Sequence, residues 1–431
     1  MKILVTGGQG FIGSHLVVAL AGQGHELVCP VRRPPSGAID TRAKFVPAEV
    51  SRMVSAADWD ELLIGVDAVI NAVGIFRGTA QDHETLHTRV PRALFAAAAR
   101  RGARVIQISA LGADAHARTV FHRSKRAADD ALRNAGRPAF IVQPSLVYGP
   151  GGASAAWFEK LAVLPVLVLP DGGRQRIQPV HIDDVVDGVV ALLHAPCERV
   201  ATLAFCGPRP LSLRAYLQSL REQLGMQGRV VVLPLASGFA RALAGMAAPL
   251  TGGMVSRDAV DMLARGNTGD PRPFARLLGR EPRDPAGFIP PATRDARRSQ
   301  AVLGQFIPLL KLTLAAVWIW TAAVSFGLYP VADSLAMLQR VGLPAWLAPL
   351  ALYGAALLDL LFGVLTLTWR GLRARWLWLA QMALIGGYTV IITWSLPEQW
   401  LHPFGPISKN LPMLAALWLL YLHDGGKPAR R

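Results

Sequence analysis

The sequence predicts an α/β domain built on a doubly wound parallel sheet, followed by an all-α bundle of four transmembrane helices. Three observations carry this. Residues 2–110 alternate short apolar runs with longer helical patterns, the rhythm of a parallel sheet covered on both faces. The first run, Lys2-Ile3-Leu4-Val5-Thr6, enters Gly7-Gly8-Gln9-Gly10-Phe11-Ile12-Gly13 and then an apolar helix. The last third holds nine of the 11 tryptophans and four long apolar segments, as expected where aromatic rings mark membrane interfaces.

Strands are expected at 2–6, 26–31, 44–46, 68–72, 104–109 and 139–143, with helices at 11–20 and 84–101. From Tyr148-Gly149-Pro150-Gly151-Gly152 the chain turns to loops and longer helices rich in Pro and Gly. This stretch, 148–293, is read as a small substrate lobe that completes a domain of residues 1–293. Residues 294–305 open with the basic run Arg294-Asp295-Ala296-Arg297-Arg298 and are expected to be a linker. The membrane domain follows at 306–424, with spans at 306–329, 346–369, 376–396 and 411–423, and a basic tail at 425–431. The first three spans reach the roughly 20 residues that a helix needs to cross the hydrocarbon core; the fourth does so only if it starts near Ile407.

Charges between the spans set an orientation, because Lys and Arg accumulate on the cytoplasmic side. The linker carries Arg294, Arg297 and Arg298, the next loop Arg340, the third Arg370, Arg373 and Arg375, the fourth Lys409, and the tail Lys427, Arg430 and Arg431. That alternation fits four crossings of the cytoplasmic (inner) membrane with both termini cytoplasmic. No charged segment followed by an apolar core and cleavage site opens the chain, which agrees with a cytoplasmic α/β half. Cys29, Cys197 and Cys206 form no CxxC, as expected in a reducing compartment.

A net charge of +16 raises the question of nucleic acid, but the basic residues are dispersed in pairs such as Arg32-Arg33 and Arg100-Arg101. A basic surface facing anionic membrane lipid is the preferred reading, with no nucleic-acid partner.

In a dinucleotide-binding turn the first glycine permits the bend, the second lets backbone approach the pyrophosphate, and the third lets helix and strand pack closely. Gly7, Gly10 and Gly13 have that spacing, so the fold is expected to be of Rossmann type. Where an NAD site usually places an acid for the ribose 2′-hydroxyl, the second strand ends in Arg32-Arg33. Guanidinium groups suit a 2′-phosphate, which favours NADP(H) over NAD(H); the alternative is a solvated loop.

Six ordered motifs now make the first 300 residues resemble the extended short-chain dehydrogenase/reductase family. The similarity is greater to its atypical branch, which includes the nucleotide-binding accessory subunit of complex I. They are the glycine turn, Asn71-Ala72-Val73-Gly74, Ile108-Ser109-Ala110-Leu111-Gly112-Ala113, Arg123-Ser124-Lys125, Gln143-Pro144-Ser145-Leu146-Val147-Tyr148-Gly149-Pro150-Gly151, and Pro179-Val180-His181-Ile182-Asp183-Asp184-Val185. The resemblance implies cofactor contacts at Gly7, Gly10, Phe11, Ile12, Gly13, Asn71, Ala72, Val73, Gly74, Ser109, Lys125, Pro144 and Ser145. It also implies a catalytic Tyr-x-x-x-Lys pair, in which lysine lowers the tyrosine pKa for proton exchange.

Here that segment is Phe121-His122-Arg123-Ser124-Lys125, so Phe121 stands at the tyrosine position with no ionisable proton, and Lys125 alone remains. The family's Ser/Thr position falls on Ala110 or Leu111. His122 lies about 100° around the helix from Phe121 and is expected to be a surface or packing residue rather than a proton donor. His83-Glu84-Thr85-Leu86-His87 matches a zinc-protease pattern but lacks a third ligand, so no metal is expected.

The membrane half resembles the DoxX-like four-helix family through Ala355-Ala356-Leu357-Leu358-Asp359-Leu360-Leu361-Phe362-Gly363 and His402-Pro403-Phe404-Gly405-Pro406. That resemblance implies membrane redox and quinone-linked roles. Asp359 is the acidic residue deep in a span, either a functional proton or ligand site or an interhelical hydrogen bond. Three functions are expected in order: a membrane-anchored oxidoreductase on an unknown, lipophilic or quinone-type substrate; a silent NADP(H)-binding component of a membrane redox complex; and a nucleotide-sugar epimerase or dehydratase, which the missing tyrosine disfavours.

Overall fold

The structure, a computed structural model, describes residues 1–34, 42–248, 255–401, 403, 405 and 407–425. His402, Phe404 and Pro406 of the second membrane motif lie outside the described residues, as do Lys427, Arg430 and Arg431 of the tail. The chain divides into two compact units, Met1–Ala301 and Val302–Arg431.

In the first unit, seven strands form one parallel sheet: β1 (Lys2–Thr6), β2 (Glu26–Val31), β3 (Ala43–Pro47), β4 (Ala68–Asn71), β5 (Arg104–Ile108), β6 (Ala139–Pro144) and β7 (Ala201–Phe205). Their order is β7-β6-β5-β4-β1-β2-β3. The chain winds one way from β1 to β3 and the other way from β4, so the switch lies between β1 and β4, where such sheets open a crevice.

Alternation along the strands divides the core between two faces. Ile3, Val5, Ile70 and Ile106 pack with Leu16 and Leu20 of α1 (Phe11–Gly22) and Val185 and Val189 of α4 (Ile182–His194). On the opposite face, Leu4, Val69, Val105 and Ile141 pack with Leu94 of α2 (Val90–Arg101) and Leu132 of α3 (Val120–Asn134). Six of the seven strands stand within two residues of their expected bounds. The seventh, Ala201–Phe205, was not anticipated, and the expected helix 84–101 is interrupted by a wide π turn at Thr85–Arg89.

The lobe beyond Tyr148 contains the parallel ribbon Val166–Pro170 with Val231–Leu235, and α5 (Ser237–Ala247). The run read as a linker is instead the start of a 30-residue helix, Arg294–Ala323. Arg297 is no free linker charge: its guanidinium pairs with Glu159, which also accepts from the Tyr148 hydroxyl.

The second unit is all α. Among the described residues three helices are long and apolar enough to cross a membrane, Pro291–Leu328, Ala348–Thr368 and Leu372–Ser395. The fourth expected span is the helix Asn410–Gly425, whose 16 residues reach about 24 Å, short of a roughly 30 Å hydrocarbon core. Its end carries Asp424, which binds Lys311 Nζ at 3.0 Å and accepts from Trp378 Nε1 at 3.0 Å. Trp318 Nε1 donates to Gln381, and Gln381 donates to Thr366, which links three of these helices by side-chain hydrogen bonds. Asp359 is buried, and its Oδ1 has no hydrogen-bond partner in the structure.

Candidate functional site

The glycine turn sits at the switch point. Gly7 has φ +68°, and a Cβ there would meet Ala72 O at 2.6 Å and Val73 N at 2.9 Å. The first glycine is therefore required both for the left-handed backbone and for close passage of the loop after β4. A Cβ on Gly13 would stand 2.1 Å from Gly7 O, so α1 packs directly against the turn. Gly10 N donates to Gly7 O at 2.8 Å and begins α1 with no side-chain cap and no acid in the first turn. The uncapped N–H groups of that turn are a ready anion site. The close backbone contacts that a Cβ at Gly7 or Gly13 would break keep this turn tight against the start of α1, and its open N–H groups are the donors that a dinucleotide pyrophosphate would use.

Phe11 and Ile12 are half-buried beside the turn, and the Phe11 ring lies where a Cβ on Gly152 would stand 2.9 Å away. Phe11 thus joins the glycine turn to the loop after Tyr148. Arg32 and Arg33 are exposed at the end of β2, and Arg33 O accepts from Gln9 Nε2 at 2.9 Å, fastening them to the glycine turn.

Asn71 is buried in a chain of bonds across three strands: Thr6 Oγ1 donates to its Oδ1 at 2.6 Å, and its Nδ2 donates to Gln107 Oε1 at 2.6 Å. Its side chain holds the sheet. Ser145 Oγ likewise donates to Gln178 O, beside the buried Pro144. At Asn71 and Ser145 the side chains are thus committed to bonds within the protein.

Lys125 lies on α3, which Thr119 caps through its hydroxyl. Its buried Nζ donates to Val73 O at 2.9 Å and to Ile108 O at 3.0 Å. Two carbonyls from the ends of neighbouring strands thereby fix the ammonium and leave its third proton for a ligand. Burial pulls the pKa of Lys125 down to about 8, with Asp129 acting in the opposite sense.

Sequence reasoning passed over Asp129. It is fully buried one helical turn beyond Lys125, and accepts from Ser109 Oγ at 2.6 Å and Gln143 Nε2 at 3.3 Å. Burial raises its pKa to about 6. Ser109 is therefore turned toward Asp129. The i,i+4 spacing of Lys125 and Asp129 was the available signal.

Phe121 is boxed by the rings of Phe76 at 5.7 Å, His87 at 5.7 Å and His83 at 6.4 Å. Ile75 N donates to His87 Nε2 at 2.9 Å, which assigns the ring proton to Nδ1, facing Ser124 Oγ at 3.0 Å and His83 Nδ1 at 3.4 Å. Burial, then Lys125, push the pKa of His87 down to about 2. Both His87 nitrogens are thus engaged within the protein, and Glu84 of the zinc-protease pattern points outward. Among the described residues no cluster of three metal-ligating side chains occurs. His122 is buried against Gly112, and burial lowers its pKa to about 4.

Residues 3–202 match the NAD dependent epimerase/dehydratase family, and residues 315–418 match the DoxX-like family. The chain joins an epimerase/dehydratase-type domain of the short-chain dehydrogenase/reductase superfamily to a DoxX-like membrane domain. Its epimerase-type half is 29% identical over 239 residues to a ceramide reductase of Caulobacter vibrioides, covering 54% of this chain and 73% of that protein. It is also 29% identical over 216 residues to subunit 9 of the NADH dehydrogenase [ubiquinone] 1 alpha subcomplex of Mus musculus. That match covers 47% of this chain and 56% of the subunit, so the chain spans a little over half of the subunit's length.

Among solved structures, UDP-glucose 4-epimerase of Thermotoga maritima superposes with TM-score 0.52 at 18% identity, over 69% of this chain and 99% of that one. UDP-glucuronic acid 4-epimerase of Bacillus cereus gives 0.51 at 20%, over 70% and 99%. These likenesses establish the fold.

Proposed function

We propose that this protein is a membrane-anchored, NAD(P)(H)-binding oxidoreductase acting on a lipophilic, carbonyl- or quinone-type substrate. The observation that carries it is the Lys125 ammonium, fixed between Val73 O and Ile108 O at the carboxyl ends of β4 and β5. A bound dinucleotide supplies or accepts the hydride. Gly7, Gly10 and the open first turn of α1 hold the pyrophosphate, and Lys125 holds the nicotinamide ribose. Backbone at Ala72–Gly74 and at Pro144–Ser145 lines the cleft.

The likeness to a ceramide reductase and the DoxX-like half both favour a substrate drawn from the bilayer. The arginine alternation favours four crossings of the inner membrane with both termini cytoplasmic. The test is made on detergent-purified protein: copurified dinucleotide is identified, and reduced-nicotinamide absorbance is followed with a soluble quinone and with a long-chain ketone. Turnover of either supports the proposal; tight NADPH retention without oxidation by any acceptor rejects it.

Arg32 and Arg33 favour NADP(H). The double substitution R32E/R33S is expected to lower NADPH affinity by tenfold or more, with NADH affinity equal or improved, because it removes the 2′-phosphate partners and supplies an acid for a 2′-hydroxyl. Titration of both cofactors by fluorescence quenching checks this. Equal losses for both would mean that the pair serves only the turn.

Phe121 favours a second reading, a silent NADP(H)-binding component of a membrane redox complex, in keeping with the similarity to a complex I subunit. F121Y separates the two. Its hydroxyl would enter the box formed by Phe76, His83 and His87, one helical turn from Lys125. Carbonyl reduction is expected to rise at least tenfold, since a positioned proton donor contributes about 10²–10⁴-fold. No gain alongside retained cofactor would favour the silent component.

A further inference from the structure

The lobe beyond Tyr148 carries an apolar face whose pattern is inside out. In the ribbon Val166–Pro170 with Val231–Leu235, Leu167 and Leu169 are buried, as one face of a strand pair should be. The opposite face should then be polar, but it presents Val166 opposite Val231 and Val168 opposite Leu233, each about half exposed.

Helix α5 repeats the inversion. Its small residues Ala240 and Ala244 point inward at 6% and 1% exposure. The large ones, Phe239 and Met246, stand out at 59% and 70%, with Leu243 between them on the same face. A soluble helix that buries alanine and exposes phenylalanine and methionine gains nothing in water from that choice. Large apolar side chains exposed on both the ribbon and the helix of one lobe mark a surface that another apolar phase covers.

Charge identifies the phase. From Leu224 to Ser256 the chain has no Asp or Glu, while Arg229 and Arg241 flank the patch and are exposed. No charged residue occurs between Val163 and Pro170. Asp171, which accepts from Ser237, and Asp261, which pairs with Arg241, share the rim with the exposed Arg174, Arg229 and Arg257, so the apolar face is edged by both signs with cations in excess, a pattern compatible with an anionic lipid surface. The DoxX-like helices of the same chain, read here as membrane-spanning, keep such a surface at high local concentration.

We infer that the face formed by the ribbon Val166–Pro170/Val231–Leu235 and by α5 inserts into the headgroup and upper acyl region of the bilayer. This is a second, peripheral membrane contact made by the epimerase-type unit itself. It rests on the membrane reading of the C-terminal helices. It adds that the soluble half does not merely hang from them.

The experiment uses the full chain in lipid nanodiscs containing a lipid with a nitroxide in its upper acyl chain, at one copy per disc. An environment-sensitive fluorophore is attached at F239C, at M246C, or at I64C, an exposed apolar control in the first unit. Label incorporated into the unsubstituted chain gives the background from Cys29, Cys197 and Cys206.

Quenching several-fold greater at 239 and 246 than at 64, and weaker in zwitterionic than in anionic discs, is the expected result. Equal quenching at all three positions overturns the inference. Shielding of 239 and 246 that appears only in discs with two copies also overturns it, by assigning the face to a second copy of the chain. Failure of the protein to stay in discs would instead overturn the membrane reading on which it rests.

Discussion

K125M is expected to retain the fold and to lose turnover by about 10²–10⁴-fold, the range for removal of a group that positions or exchanges a proton. The substitution keeps much of the buried volume, so no large cavity is opened beneath Val73 and Ile108. It also removes a charge whose burial is unfavourable, as the lowered pKa of about 8 records. Folded Lys125 titrates below its unfolded value of 10.5, so the unfolded chain binds more protons between about pH 8 and pH 10.5. This group's contribution to stability therefore rises with pH across that window and is least favourable below pH 8.

Its functional contribution runs the other way. The ammonium that would hold the ribose is lost as pH rises through about 8. Activity and NADPH affinity should both fall on that limb, and K125M should flatten it. Two measurements check this: a pH profile of turnover, and a melting curve for each protein. A K125M protein that melts normally and turns over normally would remove Lys125 from the chemistry. One that is inactive only because it is unfolded would be visible in the melt, and the less drastic K125R then tests the charge separately.

How much of this was legible before the structure depends on the kind of signal. The glycine turn was fully legible, because Gly7 and Gly13 answer a backbone requirement that no other residue meets. Strands β1, β2, β4, β5 and β6 were legible because strands buried on both faces leave mostly apolar runs, and the partly exposed edge strand β3 through Phe45 and Val46. Strand Ala201–Phe205 was not, since a partly exposed edge strand carries a weak five-residue signal that only pairing with β6 fixes.

The commitment of Asn71, Ser109 and Ser145 to internal bonds was also invisible. Which way a polar side chain turns is decided by partners such as Gln107, Asp129 and Gln178, 20 to 36 residues away in sequence. Arg297 failed for the same reason. A basic run after a Pro-rich stretch resembles a linker, and only the buried Glu159 reveals it as a tie. The inverted face of α5 could have been read, since Phe239, Leu243 and Met246 follow helical spacing. Apolar spacing alone does not say whether the stripe faces core or lipid.

Gly13 and Gly10 offer the second large effect, and they differ in a way that separates fold from ligand. In G13A the new methyl would lie 2.1 Å from Gly7 O and 2.7 Å from Gly7 C, both backbone atoms that no rotamer change can move. Relief requires α1 to retreat from the turn, which disturbs the packing of Leu16, Val17 and Leu20 on β1. Overpacking of this kind costs about 1–3 kcal/mol or more, so the apparent melting temperature falls even without cofactor, and bound dinucleotide is lost. In G10A the nearest heavy atom is Gly7 O at 3.1 Å, a contact that a shift of a few tenths of an ångström absorbs. The ligand-free fold should therefore survive, while the methyl blocks the approach of the pyrophosphate to the start of α1. G22A, whose Cβ meets nothing within 4 Å, is the control and should leave both properties intact. Melting curves with and without NADPH, with chromatographic assay of copurified dinucleotide, resolve the three. Retention of dinucleotide by G10A would move the phosphate site away from this turn, and with it the role assigned to Lys125.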